Sequence, residues 1–411
     1  MSCACDSPGL MPIEKAKQVI WQTIAPIDEI QQCDLKDSLD RVLAIDIVSP
    51  INVPAYDNSA MDGYALRYQD LAHSNTLHQV GKSFAGKPFD GELDAGECVR
   101  IMTGAEIPIG ADTVVMQENT SADNLKITFI EEVSKGSAIR PAGGDISKDS
   151  VVLKAGKQIS AIDIGLLASL GIASVSVYRQ LKVAVFSTGD ELLMPGQPSQ
   201  PGRIFDSNRP MLVAMLQRIG AQVIDMGVIG DDPNLIRQAF DLADQQADCV
   251  VTSGGVSVGE ADYTRDILQE IGQVDFWKLA IKPGKPLAFG RLPNSIFFGL
   301  PGNPVSAAVT FDQIAGLALK RLAGSEVQPE LLVPALATKV FKKKPGRTDY
   351  QRAYCFKDED GTLCVETNRT QSSGVLSGFA SSNCYAVLEN KRGRVEVGET
   401  VSVLFFDRVL L

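Results

Sequence analysis

Between Leu181 and Leu322, short apolar runs alternate with segments in which apolar side chains recur at helical spacing. Short β-branched runs bounded by glycine, proline or acidic residues are typical of strands, and a repeat of three to four residues is typical of helices. This alternation predicts a mostly parallel, doubly wound sheet that binds its ligands at the carboxyl ends of the strands. The predicted strands are Lys182 to Ser187, Gln222 to Val228 and Cys249 to Thr252, and the predicted helices are Pro210 to Ile219, Pro233 to about Gln245 and a segment after Ala261.

The flanking segments have other patterns. Residues 11–24 predict an amphipathic helix, and a second helix is predicted from Leu35 to Leu43. Strand-like pieces with glycine turns fill residues 54–145, and period-two alternation after residue 327 predicts a small β-barrel or sandwich. The predicted fold class is therefore multidomain α/β. Its predicted parts are a discontinuous helical and mixed linking domain (1–53 and 147–178), an inserted β-rich domain (54–146), an α/β domain (179–326) and a C-terminal β-barrel domain (327–411).

Composition excludes several classes of function. Acidic residues outnumber basic residues by 50 to 39, a formal net charge of −11 over 411 residues, so general attraction to nucleic acid is not expected. The eight cysteines form no disulfide framework, and the first residues contain no apolar signal segment. The longest apolar stretch contains Asp163 and two glycines, which argues against a membrane span. We therefore expect a cytoplasmic protein with neither a membrane nor a nucleic-acid partner.

Two glycine turns carry the chemistry of the α/β segment. The turn Ser253-Gly254-Gly255 follows a strand, and the turn Gly302-Asn303-Pro304 opens the next helical pattern. Glycine lets the backbone approach an anion, and N–H groups at a helix start carry partial positive charge. Lys278, Lys282 and Lys285 lie between the two turns in the sequence. This combination predicts a ligand with more than one phosphate.

Other interpretations of the same residues were weighed. Gly255 to Gly259 matches the G-x-S-x-G turn of serine hydrolases, but both histidines of the chain lie upstream, where that triad does not place them. Gly284-Lys285 lacks the earlier glycine of a Walker A loop, and no G-x-G-x-x-G follows the strand. A purely structural role, with glycines as tight turns and lysines as solvated charges, is the simplest alternative. The acids Glu260 and Asp262 at the same helix start favour a metal-bridged phosphate instead.

Acids or glycine turns follow each predicted strand of this segment. Because carboxyl ends of parallel strands meet at one edge of a sheet, we expect these groups to converge there. They are Glu191, Asp231 and the turn at Ser253, and Lys278 is expected to converge on the same edge.

Nine sequence motifs, in this order, extend over nearly the whole chain: PAYDNSAMDGYA, RIMTGA, GGDIS, FSTGDEL, SNRPML, SGGVSVGEADYT, WKLAIKPGKP, GLPGNPVSA and PGRTDYQRA. With them the chain closely resembles the molybdopterin molybdenumtransferases of the MoeA type, the molybdenum insertases that include the C-terminal part of gephyrin. The resemblance implies four domains, an elongated homodimer and insertion of molybdate into adenylylated molybdopterin, with release of AMP in a Mg²⁺-dependent step. It also implies a molybdopterin adenylyltransferase as the substrate donor.

The resemblance further implies which residues act. Catalytic roles fall on Asp62, Asp145, Glu191, Asp231, Asp262, Lys278 and Lys282, and substrate-binding roles fall on Thr103, Pro301, Pro304 and Arg352. The chemistry of the residues agrees, because a pyrophosphate-linked ligand needs backbone N–H groups and cations. Those groups are expected at Ser253, Gly254, Gly255, Gly302, Asn303 and Lys285. Carboxylates are expected to hold the metal directly or through water, namely Asp62, Asp145, Asp231 and Asp262.

Two alternatives stay open. One is a scaffold or binding protein that keeps this fold without turnover. The other is an enzyme that adenylylates the pterin and uses ATP. We also predict that the active site is shared between two subunits, because Asp62 lies in the inserted unit, a whole domain away from the phosphate turns.

Overall fold

The computed structural model describes residues 9–255, 263–407 and 409–410. The chain begins with helix α1 (Ile13–Thr23), whose buried side chains are Ile13, Ala16 and Ile20. They pack into the same hydrophobic core as Val183 and Phe289, which lie on strands of the large sheet described below. The predicted placement of this helix in the linking domain is therefore corrected: its apolar face is buried against the α/β domain.

Two short strands, β1 (Ile30–Asp34) and β2 (Ile47–Val48), follow α1. The helix predicted from Leu35 to Leu43 is wrong, because only a three-residue 3₁₀ turn forms, at Leu35–Asp37. Val42 and Leu43 instead form isolated β-bridges with residues more than a hundred positions later. Long-range pairing that fully buries Leu43 has overridden the local helical pattern.

A β-rich unit comes next. Its main sheet has six strands in the order β7-β4-β6-β5-β9-β8, and a two-stranded sheet joins β3 to β10. Alternation along β4 directs Ala65 to one core and Leu66 to another, so both faces of the sheet are covered. The strands are β3 (Asn58–Ser59), β4 (Gly63–Leu66), β5 (Thr76–Ser83), β6 (Glu97–Ile101), β7 (Thr113–Met116), β8 (Thr120–Asp123), β9 (Lys126–Phe129) and β10 (Ile139–Arg140).

The chain then returns to the unit that contains β1 and β2. Strand β11 (Val151–Leu153) pairs with β2, and β12 (Ser174–Tyr178) pairs with β1, both antiparallel. Helix α2 (Ala161–Ser169) lies between them and begins at a capping box, in which Ser160 and Asp163 bind each other's backbone N–H groups. Because the chain leaves after β2 and comes back at β11, the β-rich unit is inserted between them.

The largest sheet has six strands in the order β16-β13-β17-β21-β20-β18. Its first four strands are parallel, and β20 and β18 are added by antiparallel pairing. Separate hydrophobic cores cover the two faces, so the sheet is doubly wound, as predicted. The elements of this segment are β13 (Lys182–Thr188), β14 (Leu192–Leu193), β15 (Ile204–Phe205), α3 (Asn208–Arg218), β16 (Gln222–Ile229), α4 (Pro233–Gln246), β17 (Cys249–Ser253), α5 (Tyr263–Ile271), β18 (Gln273–Lys278), β19 (Ile281–Lys282), β20 (Pro286–Arg291), β21 (Ile296–Leu300), α6 (Pro304–Thr310) and α7 (Gly316–Leu322).

Two successive antiparallel steps restore the strand direction, so β18 runs the same way as the four parallel strands. The carboxyl ends of five strands therefore lie on one side of the sheet, which we call the strand-end edge. Those ends are Thr188, Ile229, Ser253, Lys278 and Leu300.

The last segment forms a closed barrel. Five strands follow one another in the order β23-β24-β22-β26-β25, and β23 also pairs with β25. Strand β19 of the α/β segment adds to β23, with Lys282 opposite Asp349. The predicted fold class is thus confirmed. The barrel strands are β22 (Val333–Ala337), β23 (Thr348–Lys357), β24 (Leu363–Thr367), β25 (Cys384–Leu388) and β26 (Thr400–Phe405). No helix within the described ranges is both long and apolar enough to cross a membrane.

Candidate active site

The glycine turn after β17 requires its glycines. Gly254 and Gly255 have φ angles of +91° and +65°, in the left-handed region that other residues rarely adopt. A Cβ atom on Gly255 would lie 2.4 Å from the Oγ1 of Thr264, and one on Gly254 would lie 3.0 Å from the carbonyl oxygen of Thr188. The turn therefore packs tightly between β13 and α5. Residues with a Cβ atom could not adopt its backbone conformation without strain or a clash.

Asn208, at the first turn of α3, joins the two glycine turns. Its Nδ2 donates to the Oγ of Ser253 and to the carbonyl oxygen of Gly302, both at 2.7 Å. Its Oδ1 is buried and has no hydrogen-bond partner among the described residues. Sequence reasoning missed Asn208 as a site residue, although the motif SNRPML contains it. The orphaned Oδ1 leaves one acceptor at the junction of the turns for a donor group of a ligand.

The second glycine turn is tied to the barrel. Pro301 is buried, while Gly302 and Asn303 are exposed, and α6 begins at Pro304. The N–H of Val305 donates to the carbonyl oxygen of Ser373 at 3.1 Å. The position of this turn therefore depends on a barrel loop as well as on the sheet.

Arg352 holds that barrel loop. Its side chain is buried, with 1% of the residue exposed. Its Nη1 donates to the carbonyl oxygen of Val375 at 2.6 Å, and its Nη2 donates to those of Ser372 and Thr370 at 3.0 and 3.2 Å. Burial lowers the pKa of Arg352, and the residue has no carboxylate partner among these contacts. In this structure Arg352 positions the loop that holds α6, and the substrate contact implied for it stays a prediction.

Lysines occupy one end of the strand-end edge. Lys278 ends β18 and is exposed, and Lys285 is exposed in the turn that leads into β20. That turn packs closely on α6, because Gly284 has a φ of +109° and a Cβ there would lie 2.4 Å from the Oγ1 of Thr310. Lys282 is partly exposed, and its Nζ lies 3.6 Å from the Oδ2 of the buried Asp349.

Acids occupy the opposite end of the edge. The N–H of Asp190 donates to Asp231 Oδ2 at 3.2 Å, and the N–H of Asp231 donates to Asp190 Oδ1 at 3.1 Å. This reciprocal pair ties the loop after β13 to the loop after β16, and Glu191 is exposed beside it. Sequence reasoning missed Asp190, although a Gly-Asp pair follows both strands. In sheet order the edge thus runs from acids, through the glycine turns, to lysines.

The remaining predicted acids lie in the β-rich unit. Asp62 is exposed, and its Oδ1 accepts hydrogen bonds from the backbone N–H and the Oγ1 of Thr103 at 2.7 and 2.8 Å. These two bonds, followed by the charge of Arg100, hold the pKa of Asp62 below its usual value. Asp145 is exposed, and its N–H donates to the carbonyl oxygen of Val53 at 3.0 Å. We call residues 57–62 and 141–147 the acidic loops, which are joined where the N–H of Ala142 donates to Asp57 Oδ1.

The carboxylates predicted to bind metal are not brought together within the part of the chain that is described. No group of three or more His, Cys, Asp or Glu side chains there could hold a metal ion. Asp262 and its neighbour Glu260 lie outside the described residues, so their predicted roles stay predictions. Mg²⁺ is usually bound by one or two carboxylates together with substrate phosphates and water. The exposed acids Asp62, Asp145 and Asp231 fit that mode, and they do not fit an all-protein cage.

Comparison with known families divides the chain into three matched regions. Residues 11–171 match the MoeA N-terminal region (domains I and II), residues 184–321 match a probable molybdopterin binding domain, and residues 334–406 match the MoeA C-terminal region (domain IV). The crystal structure of the molybdopterin biosynthesis protein moeA from Pyrococcus horikoshii OT3 superposes with a TM-score of 0.85 at 28% identity. That superposition covers 97% of this chain and 100% of the other. Fold and matched regions together define a multidomain protein of the MoeA class.

Curated relatives identify the family within this class. The molybdopterin molybdenumtransferase of Haemophilus influenzae is 47% identical over 406 residues, which cover 98% of this chain and 100% of that protein. The enzyme of the same name from Bacillus subtilis is 35% identical, with 92% of this chain and 90% of that protein covered. The chain belongs to the molybdopterin molybdenumtransferase family and, as predicted, is an enzyme of the transferase type.

Proposed function

We propose that the protein completes the molybdenum cofactor by inserting molybdate into adenylylated molybdopterin, with release of AMP in a Mg²⁺-dependent step. The observation that carries the proposal is the pair of glycine turns that Asn208 joins between an acidic and a basic end of the strand-end edge. Backbone N–H groups flanked by cations suit a pyrophosphate-linked ligand. Each of the curated relatives above carries the name of this activity.

Basic and acidic residues have different proposed roles at the site. Lys278, Lys282 and Lys285 bind the phosphate oxygens and keep the anhydride near the glycine turns. A bound Mg²⁺ would neutralise the charge that develops when the phosphoanhydride is cleaved. Asp62 is suited to hold it because the hydrogen bonds from Thr103 favour its ionised form. No side chain of this chain need act as a covalent nucleophile, because an oxygen of molybdate or water can attack the adenylyl phosphorus and leave within the released AMP, while the pterin phosphate is the leaving group.

We further propose that the enzyme is a homodimer with shared active sites. The support is the location of the acids: Asp62 and Asp145 lie on the inserted β-rich unit, whereas the lysines lie on the α/β sheet. Within one chain, no hydrogen bond joins these two groups among the described residues. A two-fold axis would create two equivalent sites, each with acids from one subunit and lysines from the other. A molybdopterin adenylyltransferase is the proposed substrate donor, in the cytoplasm, where free thiols such as Cys98 and Cys249 stay reduced.

The test is to incubate purified protein with adenylylated molybdopterin, molybdate and MgCl₂ and to measure AMP by chromatography. We expect AMP release that requires both molybdate and Mg²⁺. Absence of release would favour the scaffold alternative. Formation of adenylylated pterin from ATP and molybdopterin, without another protein, would favour the adenylyltransferase alternative.

A further inference from the structure

A cleft of about 300 Å³ lies at the junction of the α/β segment and the barrel, where β19 pairs with β23. We call it the cationic cleft. One carboxylate, that of Asp349, lines it together with six cationic side chains, those of Lys282, Lys342, Lys343, Lys344, Arg347 and Arg394. In a chain with a formal net charge of −11, so dense a positive group would attract anions locally.

The floor of the cleft is fixed. The side chain of Lys343 is fully buried, and its Nζ donates to the carbonyl oxygens of Lys344, at 3.1 Å, and of Arg347. The Nζ atoms of Lys343 and Lys282 lie 3.8 and 3.6 Å from opposite oxygens of Asp349. One buried carboxylate thus holds two ammonium groups in place, and the surface cations Lys342 and Lys344 surround them.

The ion pairs of the described residues neutralise only part of the positive charge of the cleft. Burial lowers the pKa of Lys343, the charge of Asp349 opposes this shift, and the charges of Lys282 and Arg347 add to it. Asp349 supplies a single negative charge to the cleft, and the nearby Glu396 pairs with Arg394 at its rim. An anion in the cleft would therefore relieve repulsion that the folded protein otherwise retains.

The lining also indicates which kind of anion fits. Every lining side chain is charged, and none offers an aromatic or apolar surface on which a nucleobase could stack. Lysine ammonium groups bind compact charges without fixed geometry, whereas nucleotide sites usually have mainly apolar walls. The cleft is therefore suited to a small, doubly charged tetrahedral oxyanion rather than to a nucleotide.

We propose that the cationic cleft binds such an oxyanion and that its physiological occupant is molybdate, held there before it reaches the strand-end edge. The position of Lys282 supports transfer from the cleft to the edge. Its side chain lines the cleft, and the turn that follows it in the chain leads to Lys285 at the strand-end edge. The identity of the occupant rests on the function proposed above, since that reaction consumes molybdate. The existence of an oxyanion site in the cleft does not rest on that function.

The experiment compares two double variants of the full-length protein. Lys342→Gln with Lys344→Gln removes two exposed charges from the cleft and leaves Lys343 and Lys282 in place. Lys357→Gln with Lys126→Gln removes two exposed lysines that do not line the cleft and is the matched control. Equilibrium dialysis with radiolabelled sulfate, without any pterin, measures the binding, and unlabelled molybdate and AMP are the competitors.

We expect wild type and control to bind sulfate equally and the cleft variant to bind it at least about tenfold more weakly. Molybdate should displace the sulfate, and AMP should not. The KM for molybdate in AMP release should rise about tenfold in the cleft variant alone. Equal sulfate binding in all three proteins would overturn the site, and displacement by AMP would show a phosphate monoester site instead. If sulfate binds in the cleft but wild type releases no AMP, the proposed function fails and the oxyanion site stands.

Discussion

The strand-end edge and the acidic loops are built by different means. At the edge, backbone conformation determines the shape: Gly254 and Gly255 adopt left-handed angles under close contact, and Asn208 joins their turn to the next one. In the acidic loops, side chain–backbone hydrogen bonds determine the shape, as between Asp62 and Thr103. The edge presents both signs of charge, whereas the loops present acids. The edge is thus assembled by backbone contacts within one chain, and under the shared-site proposal the loops would supply carboxylates to the edge of the other subunit.

The largest expected effect tests whether the two regions meet across subunits. Asp62→Asn and Lys278→Ala should each slow AMP release about a hundredfold or more, because the first removes a carboxylate proposed to hold Mg²⁺ and the second removes a cation proposed to bind the phosphates. Lys278 is preferable to Lys282 here, since Lys282 also neutralises the buried Asp349. When the two variant chains are mixed after dissociation, about half of the dimers should be mixed. Each mixed dimer has one intact site of two, so activity should recover to about a quarter of wild type.

The control for this mixture replaces Asp62→Asn by Asp123→Asn, an exposed acid on the far strand of the β-rich sheet. Asp123→Asn should be fully active alone. If mixing the Asp62 and Lys278 variants restores no AMP release, both residues act within one chain. The edge and the acidic loops would then not meet across subunits.

The second prediction concerns the joint between the glycine turns. Asn208→Ala should destabilise the α/β domain by about 2 kcal/mol, because two hydrogen bonds are lost and the Ser253 hydroxyl loses a donor while it stays buried. Urea denaturation followed at the domain's own transition measures the change. Asn234→Ala, at an exposed position of α4, is the control and should change stability by less than about 0.5 kcal/mol. Similar losses of stability in both variants would show that Asn208 does not hold the two glycine turns together.

The third prediction separates backbone strain from crowding. Gly171 has a φ of +73° and nothing within 4 Å of an added Cβ, whereas Gly255 has a similar φ and a contact at 2.4 Å. Gly171→Ala should therefore cost about 1 kcal/mol, from the left-handed conformation alone. Gly255→Ala should cost about 2 kcal/mol or more, because Thr264 must also move. Equal losses in thermal unfolding would show that the turn is not pressed between β13 and α5.

The smallest effect concerns the acidic loops. Thr103→Val removes one of the two hydrogen bonds to Asp62, so the pKa of Asp62 should rise towards its ordinary value. The stabilisation from a lowered carboxyl pKa is present above the unfolded-state pKa and is lost as pH falls through the folded-state pKa. The stability difference between wild type and variant should thus be complete near pH 7 and vanish in acid. Carbon NMR titration of the Asp62 carboxyl measures the rise in its pKa. Thr103→Ser keeps the hydroxyl and should behave like wild type.

Much of the architecture could be predicted because it depends on local pattern. Alternating apolar runs located β13, β16 and β17 to within a residue or two of each end, and the glycine turns marked where the strands stop. Strand direction then places Asp231 and the turn at Ser253 on one edge, since parallel strands end on the same side. Lys278 reaches that edge through two antiparallel pairings, which the pattern did not predict. These inferences need only the period of the side chains and the chemistry of the turns.

The sequence by itself therefore determined most of the order of elements, the doubly wound sheet, an all-β C-terminal segment and the residue types at the strand ends. Only the tertiary structure decided that α1 packs on the large sheet, that Leu43 pairs with a distant strand instead of forming a helix, and that Arg352 is buried behind a loop. It also brought Lys282 beside Lys343 and Asp349 by pairing β19 with β23. The physical reason is that local pattern specifies the period and the turn, whereas the choice between surfaces depends on which distant groups are buried together.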